Sequence, residues 1–141
     1  MQIGYASGAF DMFHIGHLNL LRRAKMLCDH LIVGVITDEA YLSVRDRHPF
    51  VPFEERLAIV RHLRFVDAAV GDPFEDKYDS WKLLRFDFIV KGDDWLQKPE
   101  AEALLGALEK HGVGIQYVPY TQHTSSSQLR KMIAELERTA G

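Results

Sequence analysis

The sequence has one cysteine, Cys28. An internal disulfide is therefore impossible, and a reducing, cytoplasmic compartment fits. No apolar run approaches the roughly 18 residues that a membrane-spanning helix needs. The opening MQIGYASGAFD has no basic stretch followed by an apolar one, so no secretory leader is expected. Positive charge is not in excess: 17 Lys and Arg against 20 Asp and Glu leave a net −3, which excludes a domain-wide basic footprint for nucleic acid. Repeats, low-complexity tracts and Pro- or Gly-rich linkers are missing as well. The 141 residues then suit one domain with a full core, here taken as residues 1–141.

What is present is alternation. Residues 2–7 read as a strand ending at Gly8. Ile15, Leu18, Leu21, Ala24 and Leu27 follow at helical spacing. HLIVGVI, 30–36, is the continuous apolar run of a strand buried on both faces. Residues 38–51 read as a long polar loop. Phe53, Leu57, Val60 and Leu63 mark a second helix opened by Pro52. A strand at 65–70, a short helix at 77–85, a strand at 87–90, a helix at 100–111 and a strand at 114–119 complete the order. Leu129, Met132, Ile133 and Leu136 line one face of a terminal helix. This predicts an α/β, Rossmann-like, doubly wound fold: five mostly parallel strands with helices on both faces.

Ligands of such sheets bind beyond the carboxyl ends of the strands. Segments 8–17, 37–47, 91–95 and 120–128 should meet there. The first, Gly8-Ala9-Phe10-Asp11-Met12-Phe13-His14-Ile15-Gly16-His17, runs from strand end to helix start, where free N–H groups and the helix dipole attract phosphate. His14 and His17, three apart, share one face of the first turn, and Gly16 lets a ligand approach the backbone. The blander alternative is a pair of ordinary histidines, one capping the helix and one exposed. Zinc is disfavoured, because no cysteine or third histidine lies nearby.

GAFDMFHIGH resembles the H-x-G-H signature of the nucleotidyltransferase superfamily. The tetrad His14–His17 also matches class I aminoacyl-tRNA synthetases, which need a far longer chain and a lysine-rich second motif. The longer phrase G-x-F-D-x-x-H-x-G-H is similar to that of small cytidylyltransferases, glycerol-3-phosphate cytidylyltransferases above all. Other segments carry the resemblance over about residues 3–133. Ile36-Thr37-Asp38-Glu39 looks like S-T-D-E, and implies an acceptor role for Asp38. Arg45 and Arg47 stand where that family has two lysines facing the triphosphate. Arg64 in Arg64-Phe65-Val66-Asp67 implies a place near the nucleotide and the interface of a homodimer; a plain Arg64–Asp67 surface pair is the alternative. Lys77 in Phe74-Glu75-Asp76-Lys77 resembles a lysine that contacts the acceptor phosphate. Gly92-Asp93-Asp94-Trp95 resembles the nucleoside-binding loop.

The last segment departs from the pattern R-T-x-G-I-S-T-T. Tyr120 replaces the arginine and His123 the glycine, while Thr121, Thr124, Ser125, Ser126 and Ser127 keep the hydroxyl run. Arg130 or Arg47 would supply the missing cation. Ser125 and Gln128 have capping-box spacing.

The resemblance implies cytidylyl transfer from CTP to glycerol 3-phosphate, giving CDP-glycerol for a cell-surface polymer and pyrophosphate. His14, His17, Arg45 and Arg47 would be catalytic. Gly8, Ala9, Phe10, Asp11 and Gly16 would bind nucleotide, and Mg²⁺ would be held partly by Asp11 or Asp94. Rival readings keep CTP but use phosphoethanolamine, phosphocholine or another polyol or sugar phosphate, or use ATP as heptose-phosphate or FMN adenylyltransferases do. A non-catalytic nucleotide-binding module is disfavoured by the intact histidines and acidic loop.

Overall fold

A computed structural model describes residues 1–119 and 126–140. Among these residues five strands, β1 (Ile3–Gly8), β2 (His30–Ile36), β3 (Ala68–Asp72), β4 (Phe88–Gly92) and β5 (Gly114–Val118), form one sheet in the order β3-β2-β1-β4-β5. Every pairing is parallel. Six α-helices accompany it among the described residues: α1 (Ile15–Met26), α2 (Asp38–Arg45), α3 (Phe53–Arg61), α4 (Lys77–Leu84), α5 (Pro99–Glu109) and α6 (Ser126–Ala140). The expected doubly wound α/β architecture is what the chain adopts. The chain winds outward from β1 through β2 to β3, then returns to place β4 against the other side of β1. The crevice between the carboxyl ends of β1 and β4 is the topological switch point.

One element differs from expectation. Residues 38–45 form α2, not loop. Thr37 caps its start by accepting from the Ala40 N–H at 3.2 Å, and Asp38 and Glu39 complement the helix dipole in the first turn. Asp46 ends it in the left-handed region at φ 57°. Only Tyr41 on this helix is buried, so apolar periodicity could not reveal it; the Thr-Asp-Glu start is the signal that could have. β3 begins three residues later than expected, with Phe65 and Val66 in the preceding turn packing onto the core.

Two cores cover the two sheet faces. Ala6, Leu21, Ala24, Leu31, Val33, Val35 and Val60 close one, and Tyr5, Trp81, Phe86, Ile89, Leu104 and Leu108 the other. Within the second, Tyr5 of β1 reaches across β2 to donate its hydroxyl to Asp72 of β3. Gly34 of β2 makes that possible: a Cβ there would overlap the Tyr5 hydroxyl. Burial, then the Asp72 charge, push the Tyr5 pKa far above its usual range, so the phenol stays protonated and donating. On α6, Leu129 and Ile133 are half-buried, but Met132 and Leu136 remain 58% and 66% exposed, so the expected apolar face is only partly covered. Among the described residues, no helix is long and apolar enough to cross a membrane.

Candidate active site

The turn from β1 into α1 is strained. Phe10 and Met12 both hold positive φ, 53° and 50°, which costs bulky residues energy and marks a segment whose shape matters. Phe10 is buried against Phe13 and the edge of His17. Gly8 leaves room for it: a Cβ would meet the Phe10 ring at 3.1 Å. Gly8 thus serves the turn's packing, where the resemblance implies a nucleotide contact.

His14 and His17 form a reciprocal cap. The Gly16 N–H donates to His14 Nδ1 at 3.0 Å, and the His14 N–H donates to His17 Nδ1 at 3.3 Å. The rings stack with centroids 3.9 Å apart. Both Nδ1 atoms therefore accept, which leaves each hydrogen on Nε2. Burial, together with the neighbouring His14, presses the His17 pKa down to about 3, and burial lowers that of His14. Each ring is then a neutral donor through Nε2. The cap anticipated as an alternative to function is real, but it uses the opposite edge of each ring. Among the described residues, His14 Nε2 is buried without a partner, as are Ser7 Oγ at the end of β1 and Arg130 Nε on α6. Buried polar atoms normally find partners, so three orphans around one turn mark a place for a polar ligand.

Asp11 and Arg56 hold this turn to its neighbours. Asp11, 1% exposed, accepts from the Phe50 and Val51 N–H groups at 2.9 and 2.8 Å and from Arg130 Nη2 at 3.0 Å. Burial alone would raise its pKa; the two backbone donors and Arg130 outweigh this and hold it below the ordinary carboxylate value. Both oxygens are committed, so Asp11 does not fit a Mg²⁺ ligand. Asp94 is exposed on a 3₁₀ turn, and among the described residues no group of three His, Cys, Asp or Glu could hold a metal ion. The buried guanidinium of Arg56 donates to the carbonyls of Ala9, Ile36 and Val51 at 2.7–2.8 Å and to Asp38 at 2.7 Å. Sequence reading misses this pin, because an arginine in the helical string FEERL carries no mark of burial. Asp38, expected to face the acceptor, is instead occupied by Arg56 and the Phe53 N–H.

Other expected residues scatter. Arg45 ends α2 and Arg47 lies just beyond, with its guanidinium 5.7 Å from the Tyr41 ring centroid; both are exposed. Arg64 precedes β3, at the amino edge of the sheet, opposite the cluster. Its weighed partner Asp67 pairs with Lys25 at 2.8 Å. Gly92 ends β4 beside the switch point, and Asp93–Trp95 form the 3₁₀ turn that follows, with Asp93 and Asp94 exposed. Tyr120, Thr121, Thr124 and Ser125 lie outside the described residues, as does the proposed Ser125 cap. Ser126 and Ser127 open α6.

A cleft of about 560 Å³ lies between Phe74–Lys77, Trp95 and α5. Lys77 Nζ donates to the Phe74 carbonyl at 2.6 Å and pairs with buried Asp72 at 3.2 Å. Asp72 also accepts from Tyr5 and Ser80.

Residues 5–132 match the model of the cytidylyltransferase-like family. The chain is 32% identical to ethanolamine-phosphate cytidylyltransferase of Arabidopsis thaliana, covering 96% of this chain but 33% of that protein, so it spans about a third of that relative's length. It is 32% identical to FAD synthase of Thermococcus onnurineus, covering 95% and 90% of the two chains. It is also 32% identical to glycerol-3-phosphate cytidylyltransferase of Bacillus subtilis, covering 92% and 95%. The crystal structure of a lipopolysaccharide core biosynthesis protein from Thermoplasma volcanium superposes with a TM-score of 0.72 at 28% identity, covering 88% of this chain and 99% of that one. With its H-x-G-H turn at the switch point, its 3-2-1-4-5 sheet and these matches, the chain belongs to the cytidylyltransferase-like family of nucleotidyltransferases.

Proposed function

We propose that the protein transfers a cytidylyl group from CTP to a phosphorylated small alcohol, glycerol 3-phosphate first among them. An oxygen of the acceptor phosphate attacks the α-phosphorus in line. The bond from that phosphorus to the bridging oxygen breaks, and pyrophosphate leaves with the electron pair. The acceptor oxygen is already anionic, so the protein's task is positioning and charge stabilisation. The observation that carries this reading is the buried, unpartnered Nε2 of His14 at the start of α1, with His17 stacked beside it. Two neutral N–H donors and the helix N-terminus suit the oxygens on which charge grows.

Arg45 and Arg47, exposed and on a short segment, would close over the triphosphate. Gly92–Trp95 would meet the nucleoside. Mg²⁺ belongs to the proposal as a companion of the triphosphate, with no ligand role for Asp11. The homodimer and a cytoplasmic setting belong to it too, and sedimentation equilibrium tests the first.

A second reading, adenylyl transfer from ATP, is favoured by the FAD synthase relatives and by Tyr120 and His123, which break the cytidylyltransferase pattern. Pyrophosphate release separates the two. Four nucleoside triphosphates are crossed with glycerol 3-phosphate, phosphoethanolamine, phosphocholine and FMN. Turnover confined to CTP with glycerol 3-phosphate supports the first reading; preference for ATP overturns it.

A further inference from the structure

Lys77 and Trp95 line the cleft, and Lys91, which is not part of the lining, rests against the Trp95 ring next to it. Lys77 already answers to Asp72 at 3.2 Å and to the Phe74 carbonyl. Lys91, at the carboxyl end of β4, is half-buried, and its ammonium has no carboxylate or carbonyl within bonding distance among the described residues. Its ammonium lies over the face of Trp95, 4.6 Å from the ring centroid. A cation resting on an indole keeps part of its stabilisation while it waits for an anion. A partly desolvated ammonium without a counter-charge is costly, and the cost falls when an anion arrives. Burial, and then the charge of Lys77, lower the Lys91 pKa to about 8; Asp72 and Asp94 oppose this, and Lys98 adds to it.

We propose that Lys91 is a binding residue for the acceptor, and that with Lys77 it clamps a single phosphomonoester at the Trp95 end of the cleft. The remaining lining limits what hangs from that phosphate. Glu75, Asp76, Asp79 and Glu100 line the rest of the cleft. A second phosphate would face these carboxylates, so the acceptor carries one phosphate and an uncharged or cationic remainder. Phosphorylated glycerol meets that description; a bisphosphate does not. The inference rests on the nucleotidyl-transfer reading only for naming the ligand an acceptor.

Calorimetric titration with inorganic phosphate, glycerol 3-phosphate, glycerol bisphosphate and CTP tests it on the full chain. Lys91→Met should weaken phosphate and glycerol 3-phosphate at least tenfold and leave CTP within twofold. Lys91→Arg should restore both to within threefold. In the wild type, affinity for glycerol 3-phosphate should fall above about pH 8 as the ammonium deprotonates, and this limb should vanish in Lys91→Arg. Glycerol bisphosphate should bind more weakly than glycerol 3-phosphate. Three results overturn the proposal: unchanged phosphate binding in a folded Lys91→Met protein, an equal loss for CTP, or no phosphomonoester binding by the wild type. Tight Lys91-dependent phosphate binding without pyrophosphate release from any nucleotide would instead discard the transferase reading and keep the clamp.

Discussion

Replacing Arg56 by leucine should cost more than any other single change on α3. The guanidinium is 1% exposed and ties four places together: the turn after β1 through Ala9, the end of β2 through Ile36, the segment before α3 through Val51, and the start of α2 through Asp38. Leucine restores some apolar packing but leaves three carbonyls without donors. Each unsatisfied buried acceptor costs roughly 1–3 kcal/mol, and part of that is recovered where water enters. Breaking a buried pair such as Arg56–Asp38 is worth about 3–5 kcal/mol in other proteins. These overlap, so a total of about 3–5 kcal/mol is reasonable. A domain of this size has on the order of 5–15 kcal/mol to lose. The midpoint of thermal unfolding should then drop by about 10–20 °C. Far-ultraviolet circular dichroism on heating, with urea titration at 25 °C, measures it. Arg56→Lys should recover only part, because a single ammonium cannot span all four acceptors. A leucine variant melting within 3 °C of the wild type would refute the pin.

Gly34→Ala should destabilise by about 2–4 kcal/mol, read by urea titration, because its methyl enters the path of the Tyr5 hydroxyl and parts it from Asp72. Adding Tyr5→Phe should rescue only in part, since the ring carbon beneath the hydroxyl is still 2.6 Å from the new methyl. Stability should also fall below neutrality: the folded His17 pKa is about 3 against an ordinary 6.5, so the unfolded chain gains the proton first. That loss begins as pH drops through 6.5 and approaches ~1.4 kcal/mol per unit towards pH 3. His17→Asn should show a smaller drop in melting temperature between pH 7 and pH 5; an equal drop would point to other groups. His17→Ala should lower kcat/KM for pyrophosphate release at least a hundredfold, as loss of a donor to developing charge does elsewhere; near-normal turnover would remove it from the chemistry.

The sheet is readable because buried parallel strands write themselves as apolar runs; HLIVGVI matches β2 residue for residue. α2 is not, since it buries one side chain and is built by a cap and a dipole. The histidine turn is legible as a phosphate site, yet the reciprocal cap is not, because spacing cannot say which ring edge faces inward. Asp11 and Asp38 look like ligands since free carboxylates and braced ones read alike. Only coordinates reveal Arg130, 119 positions away, against the first and Arg56 against the second. Lys91 goes unmarked for the same reason: an ammonium without a partner is a property of its surroundings.

The two edges of the His14 ring can be pulled apart by chemistry. Asparagine places an oxygen near the position of Nδ1 and nothing near Nε2; glutamine reaches outward with an amide N–H but forfeits the inward acceptor. His14→Asn thus gives a correctly folded protein with its reactive edge shaved off, suited to trapping bound nucleotide. His14→Gln keeps the outward hydrogen on a frayed helix. One side chain therefore carries two separable instructions, for assembling the first helical turn and for greeting phosphate, and histidine is the residue that meets both at once.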